Sequence, residues 1–311
     1  MLSLQYMAAI FHTGELEIQN RVGEAEMANH NQVMIADAIP KGAINFVEKQ
    51  PMAIVGSRNA ANELWASILI GNFGFVKVPD PSTIIFDTQQ LVSDPADIFY
   101  SNIAQNNQIG SLFIDLTSRK RLRVNGSCSV HNSKIEFHVE HAYPNCPKYI
   151  QRRVIAMPEY FEKTQAIATE GIELSEDAIN WIKSADTFFV ASAGLDGKLD
   201  ASHRGGNPGF LEITENGLIK VPDYPGNSLF NTFGNIVQNP QVGLLFIDFE
   251  KRQTLQLTGT ASLLFDQTSD SDLAKTRGTG RFWLFKPARY IHTVEHHRVG
   301  WNFLDYSPFN P

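Results

Sequence analysis

The chain has 311 residues, of which 43% are apolar and 19% charged, a composition that favours a packed core over disorder. Its net charge of -7 argues against nucleic acid or an anionic membrane surface as a partner, because both need a basic face. Two cysteines without a CxxC spacing, Cys128 and Cys146, are predicted to be reduced thiols, and no metal site is predicted. Since no signal peptide or membrane-length apolar run is seen, we expect a soluble, cytoplasmic protein.

The first part of the chain, residues 1–39, is predicted to be a helical extension. Thr13 can cap a helix that runs to about Val22, and a second helical stretch is expected at about 24–36. Residues 40–153 then read as short apolar strands separated by Asp-Pro turns, with a helix at about 95–107 that Asp94 would cap.

The second part of the chain repeats this pattern. Residues 154–174 form a linker of mixed character, which could be partly helical. A helix capped by Ser175 then opens a second run of strands, residues 175–297, interrupted by a polar loop at 266–280. Residues 298–311 are a C-terminal tail.

Three sequence blocks recur at a nearly constant spacing. AINFVEK (43–49) matches AINWIKS (178–184), and GNFGF (71–75) matches GNPGF (206–210), both 135 residues later. NIAQNNQIGSLFIDL (102–116) matches NIVQNPQVGLLFIDF (235–249) 133 residues later. We therefore predict two homologous domains, 40–153 and 175–297. The density of short strands indicates a mainly β fold with flanking helices, arranged as two barrels.

The second repeat also carries a recognisable set of motifs: ASHRGGNPGF (201–210), PGNSLFNTFGNIVQNPQVGLLFIDF (225–249) and LQLTGTA (255–261). Together they resemble the pyridoxamine 5'-phosphate oxidase-related FMN-binding split barrels, and NCPKYIQRR (145–153) resembles a signature of the two-barrel subgroup. The resemblance implies two tandem split β-barrels, FMN as cofactor, and an oxidoreductase of unknown substrate.

The resemblance also implies a set of cofactor-binding residues, in which the Arg204 guanidinium and glycine backbone hold the phosphate and amide or hydroxyl groups bind the ribityl chain or ring. The set is Ser202, His203, Arg204, Gly205, Gly206, Asn227, Thr232, Asn235 and Gln256. Oxidases of this family carry further basic residues after the arginine, which this chain lacks. Either the phosphate charge is neutralised more weakly, or other residues help, and the candidates are Arg58, Arg152, Arg277, Arg281 and Arg289.

The two repeats differ at the predicted phosphate site. Leu69 and Ile70 stand where the second repeat has Arg204 and Gly205, so the first repeat is expected to have lost this site. The two barrels would pair within one chain, although pairing between two chains in a homodimer is equally compatible with the sequence.

Three functions remain open from the sequence. The first is an FMN-dependent oxidoreductase acting on a small molecule, with an electron donor such as NAD(P)H. The second is a flavin-binding sensor or carrier without turnover. The third is a haem-binding split barrel, for which His292, His296 and His297 are the candidate ligands.

Overall fold

The computed structural model describes residues 10–158 and 165–311. The beginning of the predicted extension, residues 1–9, and the middle of the predicted linker, residues 159–164, lie outside the described residues. Seven α-helices are described: α1 (Thr13–Arg21), α2 (Ala25–Asn31), α3 (Lys41–Glu48), α4 (Ile98–Ile103), α5 (Glu176–Ser184), α6 (Asn231–Gln238) and α7 (Asp270–Thr276).

The strands form two large sheets and one small one. The first sheet contains β1 (Met52–Arg58), β2 (Leu64–Ile70), β3 (Val76–Asp80), β4 (Thr83–Asp87), β5 (Gln108–Asp115), β6 (Lys120–His131) and β7 (Lys134–Pro144). Between the large sheets along the chain come β8 (Arg152–Ala156) and β9 (Ile167–Gly171). The second sheet contains β10 (Thr187–Ala193), β11 (Leu199–Gly205), β12 (Glu212–Ile213), β13 (Ile219–Pro222), β14 (Gln241–Asp248), β15 (Gln253–Leu264) and β16 (Phe282–Val294). A last strand, β17 (Gly300–Asp305), pairs with β8, while β9 pairs with β16.

Both large sheets have the same strand order. It is β2-β1-β5-β6-β7-β4-β3 in the first and β11-β10-β14-β15-β16-β13-β12 in the second. Registers also correspond: Met52 pairs with Ile70 in the first sheet, and Thr187 with Gly205 in the second. The fold is therefore mainly β, with two split barrels in tandem and helices at their ends.

The barrels pack against each other through closely approaching strands. A Cβ added at Gly110 would lie 2.6 Å from the Leu199 carbonyl oxygen, and one at Gly243 would lie 2.6 Å from the Leu64 carbonyl oxygen. Each contact needs a residue without a side chain. A buried apolar cluster also joins the two sheets, since it contains Ile54 and Leu112 together with Phe189 and Leu245. This interface fixes which side chains of one barrel reach the other.

Several local predictions are corrected by the structure. His12, not Thr13, caps α1, because the His12 ring accepts bonds from the Gly14 and Glu15 amides. Asp97, not Asp94, caps α4, and the polar stretch at 266–280 contains α7. Ser175 caps α5 as predicted, since its hydroxyl accepts a bond from the Ala178 amide at 3.2 Å.

No helix in residues 10–158 or 165–311 is long and apolar enough to cross a membrane.

Candidate anion-binding cleft

A cleft opens between the two barrels. One wall comes from the first barrel, through Arg121 and Arg123 of β6 and the segment 145–149. The other wall comes from the second barrel, through the end of β11 and residues 222–233. Both barrels therefore contribute side chains to a single site.

Five of the nine predicted cofactor residues line this cleft. They are His203, Arg204, Gly205, Asn227 and Thr232. Arg204 is half-buried, and the bond that its side chain makes is a donation from Nη1 to the His203 carbonyl oxygen at 3.0 Å. The remaining donors of this guanidinium are thus available to a ligand.

Two more predicted residues lie directly behind the cleft. The Ser202 hydroxyl accepts a bond from Arg123 and lies 3.2 Å from the Thr232 hydroxyl. The Gly206 carbonyl accepts a bond from Gln151 at 3.1 Å, and a Cβ at Gly206 would collide with the Phe210 ring at 2.5 Å. These residues support the walls and do not line the cleft.

Asn235 lies away from the cleft, in a network within the barrel. Its amide nitrogen donates to the Ser192 hydroxyl and to the Asp200 carboxylate, both at 3.0 Å. In the first barrel, Asn102 donates in the same way to the Ser57 hydroxyl at 2.9 Å. Because the same bond recurs in the first barrel at a place that does not line the cleft, we interpret Asn235 as a structural residue.

Gln256 also lies elsewhere, at the opposite end of the barrel interface. Its amide nitrogen donates to the Ala66 carbonyl at 3.0 Å and to the Ser67 hydroxyl at 2.8 Å. This mirrors Arg123, which donates to the Ala201 carbonyl at 3.0 Å and to the Ser202 hydroxyl. Gln256 and Arg123 thus occupy equivalent positions in the two barrels. The sequence prediction named Gln256, which faces away from the cleft, and missed Arg123, which lines it.

The cations missed by the prediction come from the first barrel. Arg121, Arg123 and Lys148 all line the cleft. Arg121 and Arg123 lie two residues apart on β6, so their side chains share one face of the sheet. The alternating sequence RLRV (121–124) indicates that both arginines share one face of the strand. It does not indicate that this face is turned toward the second barrel, because that depends on how the barrels pack.

None of the five arginines proposed from the sequence as helpers lines the cleft. Three of them are engaged in ion pairs: Arg152 with Asp305, Arg281 with Asp223 and Glu24, and Arg289 with Glu63 and Glu170. Arg277 donates to the Phe309 carbonyl, and Arg58 lies beside Gly197.

The electrostatics of the cleft favour an anion. Burial, together with the smaller effects of the nearby Arg204 and Arg123, lowers the pKa of Arg121 to about 9 against the opposing effect of Cys146. Burial likewise lowers the pKa of Arg204 to about 10. Among the described residues, Asp223 is the acid that lines the cleft, and it already accepts a bond from Arg281 at 2.8 Å. Arg123 pairs with the Asp200 carboxylate at 3.5 Å, so the cleft arginines that lack an acidic partner among the described residues are Arg121 and Arg204.

Backbone and aromatic groups complete the walls. The first turn of α6, residues 231–233, borders the cleft, and the free amides of a helix N-terminus favour an anion there. Tyr149 and Tyr224 stack at 4.7 Å between ring centroids. The backbones of Tyr149 and Phe230 are left-handed, with φ of 67° and 58°, a strain that is common at binding sites.

The histidines considered as haem ligands lie outside the cleft. His292 contacts the Gln253 amide oxygen at 3.0 Å, His296 contacts the Asp97 carboxylate at 3.0 Å, and His297 is fully buried. His203, in contrast, lines the cleft, is 4% exposed, and has a buried Nε2 atom without a hydrogen-bond partner. Burial and the neighbouring arginines hold its pKa well below the usual range, so the ring is neutral.

Comparison with known proteins finds a family model that matches the second barrel. Residues 174–290 match the family model of pyridoxamine 5'-phosphate oxidase. No curated protein matches the chain.

Solved structures of about one barrel in length are similar to parts of the chain. HupZ of Group A Streptococcus is 15% identical, covers 34% of this chain and 93% of its own, and has a TM-score of 0.28. A pyridoxamine 5'-phosphate oxidase-like protein of Lactobacillus delbrueckii is 18% identical, with coverages of 38% and 92% and a TM-score of 0.30. An FMN-binding protein of Syntrophomonas wolfei is 12% identical, with coverages of 41% and 96% and a TM-score of 0.26. Through the match over residues 174–290, the second barrel is similar to the pyridoxamine 5'-phosphate oxidase family.

Proposed function

We propose that this protein is an FMN-dependent oxidoreductase that binds one flavin in the cleft between its barrels. The observation that carries the proposal is the convergence of Arg121, Arg123 and Arg204, from both barrels, on a cleft whose lining acid is already paired. FMN brings a phosphate dianion, and arginine is well suited to bind phosphate oxygens through two parallel hydrogen bonds.

The residues present fit the parts of FMN. A bound phosphate would oppose the burial that depresses the pKa values of Arg121 and Arg204, and it would raise both values again. Asn227 and Thr232 offer uncharged hydrogen-bonding groups to the ribityl chain. Tyr149 and Tyr224 provide an aromatic wall that would exclude water from one side of the cleft.

The bound flavin would supply the electron transfer, which side chains cannot perform. The chain would bind the phosphate through its arginines, orient the ribityl hydroxyls and shield the ring from water. His203 is held neutral by burial, so it would carry a single ring proton, and its unpartnered Nε2 would remain free for a ligand. The electron donor that we propose is a reduced nicotinamide, NADH or NADPH.

The test is a fluorescence titration with FMN and with riboflavin, which lacks the phosphate. We expect FMN to bind more tightly by about 10–100-fold, since a hydrogen bond to a charged group contributes about 1.5–3 kcal/mol. Arg204→Gln should abolish this preference while leaving riboflavin affinity unchanged. Arg289→Gln, which removes an arginine outside the cleft, is the matched control.

Two results would reject parts of the proposal separately. Equal affinities for FMN and riboflavin would reject phosphate recognition by the arginines. Tight FMN binding without reduction by NADH or NADPH under anaerobic conditions would reject the proposed donor, and failure of other reductants to give turnover would favour a flavin sensor or carrier.

A further inference from the structure

The N-terminal helix α1 places one carboxyl group behind the cleft. Glu15 is 4% exposed, and α1 packs directly on α6. A Cβ added at Gly14 would lie 2.2 Å from the Gly234 carbonyl oxygen, and one at Gly234 would lie 2.6 Å from Glu15 Cγ. These two glycines allow the helices to touch and fix the position of the Glu15 carboxyl.

A hydrogen-bond chain leads from this carboxyl to the cleft. Glu15 Oε1 accepts a bond from Asn231 Nδ2, and Asn231 Oδ1 accepts a bond from Arg123 Nη1 at 2.8 Å. The Arg123 guanidinium can only donate, so it holds the Asn231 amide oxygen toward itself and leaves the amide nitrogen for Glu15. Asn231 and Arg123 both line the cleft.

We propose that Glu15 is a positioning residue for the anion site, which holds Arg123 through Asn231 and couples the charge on its own carboxyl to anion binding. The inference rests on the proposed function for the identity of the anion, FMN. It assigns the N-terminal segment to the cofactor site, which neither the sequence motifs nor the family match indicated.

Four charged or titratable groups face the Glu15 carboxyl. They are His12 on the same helix, Asp200 on β11, Arg123 on β6 and Tyr143 on β7. Burial, and next the Asp200 carboxylate, raise the pKa of Glu15 to about 8, against the opposing effects of its hydrogen bonds and of Arg123. Glu15 is therefore mostly protonated at pH 7 and mostly ionised at pH 9.

The sign of the coupling follows from these charges. An ionised Glu15 adds negative charge behind Arg123 and disfavours a phosphate dianion, whereas a protonated Glu15 does not. Anion binding should thus raise the pKa of Glu15 further and be accompanied by proton uptake near pH 8. The FMN phosphate does not blur this effect, because its second pKa of about 6 leaves it a dianion throughout the range.

The test measures FMN affinity and proton uptake between pH 7 and pH 9 by calorimetry in buffers of different ionisation enthalpy. The wild type should lose about tenfold in affinity over this range and take up about half a proton at pH 8, as linkage to a group titrating there requires. Glu15→Gln, which imitates the protonated side chain and suits the third position of a helix, should lose less than about threefold. Arg121, with a pKa of about 9, contributes a small decline in FMN affinity that is common to the wild type and to Glu15→Gln.

The matched control is Glu17→Gln, on the exposed face of the same helix, which should behave as wild type. An unchanged pH dependence in Glu15→Gln would overturn the inference, because a purely structural role would leave the pH profile alone.

A second probe separates this inference from the identity of the cofactor. Sulfate is a dianion at both pH values, and its thermal stabilisation of the protein can be compared at pH 7 and pH 9. We expect sulfate to stabilise both proteins less at pH 9, because Arg121 begins to lose its proton, and we expect a clearly larger loss for the wild type than for Glu15→Gln. If FMN does not bind while sulfate behaves in this way, the proposed function fails and the role of Glu15 stands; equal behaviour of both proteins with sulfate overturns the role of Glu15.

Discussion

The two ends of the barrel interface have the same backbone arrangement and opposite chemistry. At the cleft, β6 presents Arg121 and Arg123 to the second barrel. At the other end, the equivalent residues of β15, 133 positions later, are Thr254 and Gln256. Leu69 similarly stands where the cleft has Arg204, since both directly precede the last residue of their strands in the same register.

The end without arginines holds a carboxylate that is bonded within the protein. The Asp97 carboxylate, at the start of α4, accepts a bond from the Ser67 hydroxyl at 2.6 Å and contacts His296 Nε2 at 3.0 Å. The Asp97 carboxylate, bonded to Ser67 and His296, thus lies at the end of the barrel interface that is equivalent to the cleft. The comparison shows that the equivalent positions of this fold accept uncharged residues, so the fold does not require the arginines of the cleft, as expected if they bind the ligand that we propose.

The largest effect should follow from converting the cleft to the chemistry of the other end. The double variant Arg121→Thr/Arg123→Gln should lose at least about 100-fold in FMN affinity, because two charge-assisted contacts of about 1.5–3 kcal/mol each are removed. It should still fold, since Thr254 and Gln256 are accommodated at the same positions of the second barrel. Fluorescence titration measures the affinity, and circular dichroism monitors the fold.

The matched control changes the other end. Thr254→Ala/Gln256→Ala should bind FMN within about twofold of wild type, because a site distant from the cleft contributes additively. A strong loss of affinity in this control, with an intact fold, would contradict the assignment of the cleft as the flavin site.

The sequence predicted the features that depend on local pattern. The alternating strands, the Ser175 cap and the mainly β class follow from periodicity and capping chemistry, and Arg204 follows from the motif around it. The Asp94 prediction failed by three residues because Asp94 and Asp97 have equally good capping side chains. The cap of α1 could not be predicted from usual preferences, since histidine is rarely an N-cap.

The second wall of the cleft could not be predicted in the same way. In the sequence, Arg121 and Arg123 indicate a solvent-exposed face of a strand. Only the packing of β5 on β11 turns that face toward the second barrel. Asn235 and Gln256 have suitable chemistry for a ligand, but Asn235 bonds within its own barrel, and Gln256 bonds the opposite end of the interface. The type of side chain identifies candidate ligand-binding residues, whereas tertiary contacts decide where those side chains lie.

A smaller effect should distinguish structural amides from ligand-binding ones. Asn102→Ala and Asn235→Ala each leave a buried serine hydroxyl without its donor, so each should lower the free energy of unfolding by about 1–3 kcal/mol. Asn235→Ala should cost more, since Asn235 also bonds Asp200. Urea unfolding measures both changes. A selective loss of FMN affinity in Asn235→Ala without destabilisation would restore it as a cofactor residue.

The smallest effect concerns the stability of the ligand-free protein. Arg121 has a folded-state pKa of about 9 against a usual value of 12.5, so its charge destabilises the fold, and this cost is fully present below pH 9. Arg121→Gln should therefore raise the free energy of unfolding by about 1 kcal/mol at pH 7, as removal of functional strain often does. The gain should shrink above pH 9, where the wild-type arginine begins to lose its proton.

Saturating FMN should make the wild type more stable than Arg121→Gln, because ligand binding stabilises the wild type more strongly. A ligand-free variant less stable than wild type at pH 7 would mean that the bonds from Arg121 to the Cys146 carbonyl outweigh its burial, and the cleft would then resemble the other end of the interface in stability as well as in backbone.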